Sequence, residues 1–292
     1  MKIEVKGHSG CDIEIVRDGL SLFIEKSTHD SRYVPRLVAQ FEKQQNAFEQ
    51  NNGHIRIPQI FDINRTNDFA MARMEYIYSQ NFIDYFETAG FEEINSFIEC
   101  ISEFVEKEIA ASPVIAVASE VLLEKFRDVQ SKVSQNPLFH NDAEIGKLMA
   151  SSSAFFEAVP SSISLPVGRC HGDLTFSNIL FSKSNFYLID FLDSFIETPL
   201  MDIVKLRQDS AFGWSKLMFI GKFDQTRLQI VSTRIDEAIH SRFSKYGWYR
   251  DYYQCFQLMN FLRILQYAKE ERVAVFLSKI INQLLKGGCC GF

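Results

Sequence analysis

The sequence lacks an uninterrupted apolar run long enough to cross a bilayer. The nearest segment, residues 256–267, contains Arg263, whereas a membrane-spanning helix needs about 20 predominantly apolar residues. Residues 1–6 have no apolar core and no small-residue cleavage site, so they do not indicate a secretory signal. The sequence therefore predicts a protein without a membrane span, and we expect a cytoplasmic location.

Cysteines at metal-binding or disulfide-framework spacing are also absent. The 6 cysteines are scattered along 292 residues, without a Cys-x-x-Cys pair or a matching set of histidines. Zinc sites and small disulfide frameworks need such spacing, so these side chains are interpreted as reduced thiols. The tail Cys289-Cys290-Gly291-Phe292 formally resembles a prenylation box, but no polybasic stretch precedes it, and we expect no lipid there.

Basic residues are not in excess. Lys and Arg total 31 against 37 Asp and Glu, which gives a net charge of -6. Nucleic-acid binding depends largely on a positive surface, so this balance argues against a nucleic-acid partner but leaves room for a local basic pocket that binds phosphate. With 46% hydrophobic residues and only 14 Gly and 7 Pro, the chain is expected to form a packed core.

Two regions differ in periodicity. Residues 1–78 show short alternating or β-branched segments around one amphipathic helix at 34–48, whereas helical spacing dominates residues 79–292. Strands are predicted at 3–5, 12–16, 21–26, 59–63 and 69–76, and at 178–181 and 185–190 in the second region. We therefore predict an α+β fold with a small antiparallel-sheet N-terminal lobe and a mostly helical C-terminal lobe.

Residues that can carry chemistry are concentrated between 169 and 193. Asp173 and Asn178 lie 5 residues apart on a predicted loop, and a predicted hairpin brings in Asp190 12 residues later. Mg²⁺ prefers hard oxygen ligands, usually one or two from carboxylates and the rest from water and phosphates, so Asn178 and Asp190 are candidate metal ligands. Asp173 would then accept the proton of a hydroxyl group that attacks a γ-phosphoryl group.

These residues resemble a known family signature. His171-Gly172-Asp173, Asn178, Ile189-Asp190 and Asp193 look like the motifs of the aminoglycoside phosphotransferase and choline kinase group, small-molecule kinases distantly related to protein kinases. The resemblance implies a bilobal protein kinase-like fold and Mg²⁺-dependent transfer from ATP or GTP to a small-molecule hydroxyl. It also implies catalytic roles for His171, Asp173 and Asn178. The structural alternative is a buried polar loop in which His171 only satisfies backbone carbonyls.

The same resemblance implies a nucleotide site in the N-terminal lobe. Such kinases place a lysine on the third strand and pair it with a glutamate on the next helix, so Lys26 and Glu42 are the candidates. Gly7-His8-Ser9-Gly10 is a candidate phosphate-covering loop with Ser9 as a contact, and a plain hairpin turn is the alternative. The segment resembling the adenine-binding hinge consists of Met74, Glu75, Tyr76 and Ile77.

Two further acids and the acceptor complete the predictions. Asp193 is assigned either a metal-related or a loop-stabilising role, and Asp202 a structural role at the start of a helix. An aromatic cluster at residues 246–253 would suit a cationic acceptor or form core. The lack of a dense acidic run in the C-terminal helices favours a neutral sugar, an amino alcohol or a precursor of a surface polysaccharide over cationic acceptors such as aminoglycosides or choline.

The motifs also depart from those of protein kinases. No arginine precedes Asp173, and no glycine follows Phe191. These departures favour a metabolite kinase, with a regulatory protein kinase or a nucleotide-binding pseudokinase as the alternatives. Oligomeric state is left open.

Overall fold

The computed structural model describes residues 2–5, 11–51 and 53–287. The predicted phosphate-covering loop with Ser9 and the Cys289-Cys290 tail lie outside these residues. The α+β prediction is confirmed, because an antiparallel sheet forms the N-terminal region and helices form most of the rest. None of the described helices is long and apolar enough to span a membrane.

The N-terminal region is built on a five-stranded antiparallel sheet with one helix packed on it. Its order is β1-β2-β3-β6-β5, with β4 outside the sheet. The helix α1 buries Val34, Leu37, Val38 and Phe41, which recur at the spacing of one helical face. The elements are β1 (Lys2–Val5), β2 (Asp12–Asp18), β3 (Ser21–Thr28), α1 (Val34–Gln50), β4 (Ile55–Arg56), β5 (Ile60–Arg65) and β6 (Ala70–Glu75).

The C-terminal region is mostly helical and contains two small β structures. Its helices are α2 (Phe82–Thr88), α3 (Phe91–Ala110), α4 (Glu120–Gln135), α5 (Ala143–Glu157), α6 (Pro199–Ser210), α7 (Trp214–Met218), α8 (Gln225–Phe243), α9 (Gly247–Leu265) and α10 (Glu271–Lys286). Its strands are β7 (Val114–Ala118), β8 (Ser162–Pro166), β9 (Ile179–Ser182) and β10 (Asn185–Leu188). β7 pairs with β8, and β10 joins β9 to β4. The predicted lobe boundary at 78/79 falls between β6 and α2.

A cluster of phenylalanines lies beneath the β9–β10 hairpin. The ring of Phe97 on α3 lies 5.4 Å from that of Phe181, and Phe86 on α2 lies 5.2 Å from Phe176 in an edge-to-face contact. All four rings are buried, and such aromatic pairs favour edge-to-face and offset geometries. The core therefore fixes the segment around Phe176, directly after the predicted base Asp173.

Candidate active site

The loop that contains Asp173 turns sharply at Gly172. This residue has a backbone φ of +87°, and a Cβ atom there would overlap the carbonyl oxygen of Leu192. The amide of Leu192 donates a hydrogen bond of 2.9 Å to the carbonyl of His171. Glycine is required because only glycine tolerates both the positive φ and this close approach. The loop is thereby held against the segment that follows Asp190.

His171 is buried beneath the loop. Its Nε2 lies 2.9 Å from the carbonyl of Ile189, and its Nδ1 accepts a hydrogen bond of 3.2 Å from the Asp173 amide. Burial lowers the pKa of His171 to about 4, so the ring is neutral near pH 7 and Nε2 donates. Since both ring nitrogens hold backbone groups and the side chain is fully buried, the geometry assigns His171 a positioning role.

Asp173 lies between an amide and an ammonium group. Asn178 Nδ2 donates to Asp173 Oδ2 at 2.9 Å and to its carbonyl at 2.8 Å. Lys205 Nζ lies 2.9 Å from Asp173 Oδ1. Burial raises the pKa of Asp173, but the nearby Lys205 charge and its hydrogen bond outweigh this effect, and the net direction is downward. The carboxylate is therefore ionised and fixed in orientation.

Helix α6 carries three polar residues that hold this loop. Asp202 accepts hydrogen bonds from the amides of His171 (2.7 Å) and Gly172 (2.8 Å). Asp209 accepts from the amide of Phe176 at 2.7 Å, and Lys205 contacts Asp173. The spacing of three and four residues places these side chains on one helical face. We call Asp202, Lys205 and Asp209 the α6 stripe. Its residues bind the loop at 171–176 from one side.

Lys26 of the N-terminal region reaches the same site. Its Nζ lies 2.8 Å from Asp190 Oδ1, and its side chain is 7% exposed. Asp190 adopts a φ of +62°, which is uncommon for a residue with a side chain. The amide of Ile189 donates to the carbonyl of Asn178 at 3.1 Å. Lys26, Asp190, Asn178 and Asp173 are thus brought together from both regions.

Sequence comparison agrees with this arrangement. The model of the phosphotransferase enzyme family matches residues 118–230, a range that includes Asp173, Asn178 and Asp190. Over these residues, the chain is similar to that family. A comparison with curated proteins gave no significant match.

Solved small-molecule kinases share the fold. A glucosamine kinase in complex with glucosamine, ADP and inorganic phosphate superposes with a TM-score of 0.60 at 9% identity, over 97% of this chain and 76% of that one. The GDP and kanamycin complex of an aminoglycoside phosphotransferase gives 0.59 at 13%, covering 99% and 94%. A choline/ethanolamine kinase family protein from Mesorhizobium loti gives 0.54 at 16%, covering 98% and 88%. The partial family match and the shared fold agree with the prediction of a small-molecule phosphotransferase.

One predicted contact of the nucleotide site is wrong. Glu42 pairs with Arg65 at 2.9 Å on the exposed side of α1 and does not contact Lys26. The next residue, Lys43, points inward instead, and its Nζ lies 2.6 Å from Glu197 Oε2 and 2.7 Å from the Leu192 carbonyl. One step along a helix turns the side chain by about 100°, so the neighbouring residue faces another surface.

The predicted hinge lies directly after β6. The amide of Glu75 donates to the carbonyl of Gln59 at 2.9 Å, and its carboxylate accepts from the Gln59 amide at 3.3 Å. Gln80 then forms a bridge with Phe181. Within the described part of the chain, no hydrogen bond uses the backbone of residues 76–79, so the main-chain groups of Tyr76 and Ile77 are available to a ligand. Their adenine contacts stay a prediction.

The predicted aromatic cage is occupied by a residue of the protein itself. The Arg207 guanidinium lies 4.6 Å from the centre of the Tyr253 ring and 2.7 Å from the Tyr249 hydroxyl. It also pairs with Asp236 at 2.8 Å. The cluster therefore packs around an internal cation.

Asp193 is exposed and lines a groove of about 800 Å³ shared with Glu42 on α1.

Sequence reasoning did not assign Lys205, Asp209 or Lys43 to the site. A signal was present for the first two, because they interrupt the apolar residues of α6 at helical spacing from Asp202. No comparable signal marked Lys43, since α1 carries many polar residues.

Proposed function

We propose that this protein transfers the γ-phosphoryl group of ATP or GTP to a hydroxyl group of a small molecule such as a sugar, an amino alcohol or an aminoglycoside-like compound. The observation that carries the proposal is the convergence of Lys26, Asp173, Asn178 and Asp190 at one place between the two regions. The sheet side provides the lysine, and the loop side provides the base and two oxygen ligands.

Asp173 is proposed as the general base. Its depressed pKa keeps it ionised near neutral pH, and Asn178 and Lys205 fix its orientation. The acceptor hydroxyl would give its proton to Asp173 while its oxygen forms the new bond to phosphorus. The bond to the β-phosphate oxygen breaks, and the nucleoside diphosphate leaves.

The residues present fit a magnesium ion. Asn178 uses its Nδ2 for Asp173, and no described residue donates to its Oδ1; Asp190 uses one carboxylate oxygen for Lys26. Asn178 Oδ1 and the Asp190 carboxylate are hard oxygen donors of the kind Mg²⁺ takes. Once bound there, the ion would neutralise charge on the nucleotide phosphates. Lys26 would contact the α- and β-phosphates.

The neighbouring structures support the donor and the acceptor class. One was solved with ADP and glucosamine, and another with GDP and kanamycin. Both pairs consist of a nucleoside diphosphate and a small molecule with hydroxyl groups. The proposed reaction leaves a diphosphate of this kind.

Release of nucleoside diphosphate from ATP and from GTP tests the proposal, measured over sugars, amino alcohols and aminoglycosides. Asp173→Asn should reduce turnover ~10²–10⁴-fold with nucleotide binding retained, because only the proton acceptor is lost. Asp251→Asn, at an exposed position of α9, is the control with the same charge change. Near wild-type turnover in Asp173→Asn would remove this residue from the role of base.

A further inference from the structure

One face of α9 carries a polar stripe. Gln257, Asn260 and Arg263 recur every three residues in a helix that is otherwise largely apolar, and the first two are fully buried. Asn260 Nδ2 donates to Gln208 Oε1 at 2.7 Å, and Lys205 Nζ lies 3.5 Å from the same oxygen. The stripe therefore connects α9 with Lys205, which holds Asp173.

Arg263 follows Asn260 by three residues in this stripe, and Asp173 is the charged group that acts on it most strongly. Its guanidinium lies 5.5 Å from the centre of the Phe195 ring, in the segment that follows Asp190. Within the described part of the chain, no carboxylate lies within 4.0 Å of it. Ser194, next to Phe195, has a buried hydroxyl without a hydrogen-bond partner among the described residues. Among the residues that the structure describes, the Arg263 guanidinium and the Ser194 hydroxyl are thus left without a hydrogen-bond acceptor.

The two carboxylates that act on Arg263 already pair with other basic residues. Burial lowers the pKa of Arg263 below its ordinary value. The ionisable groups that act on it are Asp173, Tyr267, Asp128 and Arg36. Asp173 already pairs with Lys205 at 2.9 Å, and Asp128 pairs with Lys125 and with Lys132, each at 2.8 Å. A partly buried cation without its own counter-ion is costly in free energy, so an anionic ligand group is favoured there.

We propose that the acceptor is a hydroxyl compound with a carboxylate or phosphate group, and that Arg263 binds this anionic group beside Asp173. The inference rests on the proposed phosphotransfer function and specifies its substrate class. A polycationic acceptor such as the kanamycin bound by one neighbour would be repelled by Arg263.

Equilibrium binding tests the proposal independently of turnover. The nucleotide site is filled with Mg²⁺ and a non-hydrolysable ATP analogue, and matched probes are titrated by calorimetry. One set is D-glucuronate, D-glucose 6-phosphate, D-glucose and D-glucosamine; the other is D-glycerate and glycerol. We expect at least one anionic probe to bind more tightly than its neutral and amino counterparts. The glucuronate and glucose 6-phosphate arms distinguish a carboxylate from a phosphate.

Variants of Arg263 locate the contact. Arg263→Gln should weaken binding of the anionic probe by roughly 10–100-fold, the usual range for a lost charged hydrogen bond, and leave the neutral probes unchanged. Arg263→Lys should retain part of the preference because it keeps the charge. Arg272→Gln removes an exposed arginine of α10 and is the matched control. A structural role alone would lower thermal stability without changing the preference for anions.

The outcomes separate this inference from the proposed function. Equal or tighter binding of the neutral or amino probes by the wild-type protein overturns the anionic acceptor, even if Arg263→Gln fails to fold. An unchanged preference in folded Arg263→Gln overturns the role of Arg263. Tight binding of an anionic probe together with no diphosphate release from any compound supports the inference and counts against phosphoryl transfer. Turnover of neutral sugars without any preference for anionic probes supports phosphoryl transfer and counts against the inference.

Discussion

Gly172 is the single position at which the active-site loop tolerates least change. Gly172→Ala would place a methyl group against the Leu192 carbonyl at a positive φ. We expect the free energy of unfolding to fall by roughly 2–4 kcal/mol, because backbone strain and overpacking add, and turnover to fall with it. Chemical denaturation and diphosphate release measure the two effects.

Gly146→Ala is the matched control for that substitution. Gly146 lies within α5, and a Cβ there meets no atom within 4 Å. Alanine favours a helix interior by about 1 kcal/mol over glycine, so this variant should be as stable as the wild type or more stable. Equal stability of the two variants would show that the loop can move away from Leu192.

Single residues also show what the sequence could reveal about the site. The sequence was enough to select Asp173, Asn178 and Asp190 as site residues. A short loop and a hairpin connect them, so residues that are near in sequence remain near in space. The partner of Lys26 could not be selected in this way. The rotation of α1 decides which of its side chains face Lys26, and the observed partner, Asp190, is distant in sequence. Lys205 lies 32 residues beyond Asp173, and only the packing of α6 brings the two together.

Among the helices, α6 carries Asp202, a buried carboxyl group whose contribution to the free energy of unfolding should depend on pH. Burial raises the pKa of Asp202 to about 7, from 3.8. Some acids have a higher pKa in the folded protein than in the unfolded protein. The stabilisation from such an acid is fully present below its unfolded-state pKa and is lost as the pH rises through its folded-state pKa. The stabilising contribution of Asp202 should therefore decline between about pH 4 and pH 7.

Comparison with Asp202→Asn isolates this effect. His171 acts in the opposite direction, since its pKa is lowered and its contribution is lost as the pH falls, but it is common to both proteins. The difference in free energy of unfolding, wild type minus variant, should fall on the order of 4 kcal/mol from pH 4 to pH 7. Urea denaturation at several pH values measures it, and parallel profiles would contradict the assignment.

The secondary structure was predicted best where the hydrophobic pattern was regular. The strands at 60–65 and 70–75 and the α1 helix lie within a few residues of the predicted positions. β4 was missed because it has two residues and exists only by pairing with β10, more than 100 residues away. β7 was missed because its residues are mostly exposed. Its sequence therefore does not alternate between apolar and polar residues as a half-buried strand does.

Across the whole molecule, the two regions meet at the Lys26–Asp190 ion pair. Asp190→Ala should weaken Mg²⁺-dependent nucleotide binding at least ~10-fold more than Asn178→Ala, because a carboxylate neutralises metal charge and an amide does not. Asp190→Ala also leaves the buried ammonium of Lys26 without its partner. Titration of nucleotide with and without Mg²⁺ measures both effects, and Glu42→Gln should leave the affinity unchanged.

Unchanged Mg²⁺-dependent affinity in Asp190→Ala would refute its assignment as a metal ligand. Weakening of equal size with and without Mg²⁺ would instead point to loss of the ion pair with Lys26. The two contributions of Asp190 can therefore be separated by the metal dependence alone.

The α6 stripe has a consequence for how such proteins change their substrates. Because Asp202, Lys205 and Asp209 all hold the loop from one helix, a shift of that helix carries the base and its supports together, and their mutual distances are preserved. The proposed acceptor contact, Arg263, lies on a different helix, α9. Substitutions there can alter which compounds are accepted while the reacting groups keep their geometry, so selection for a new substrate need not rebuild the chemistry.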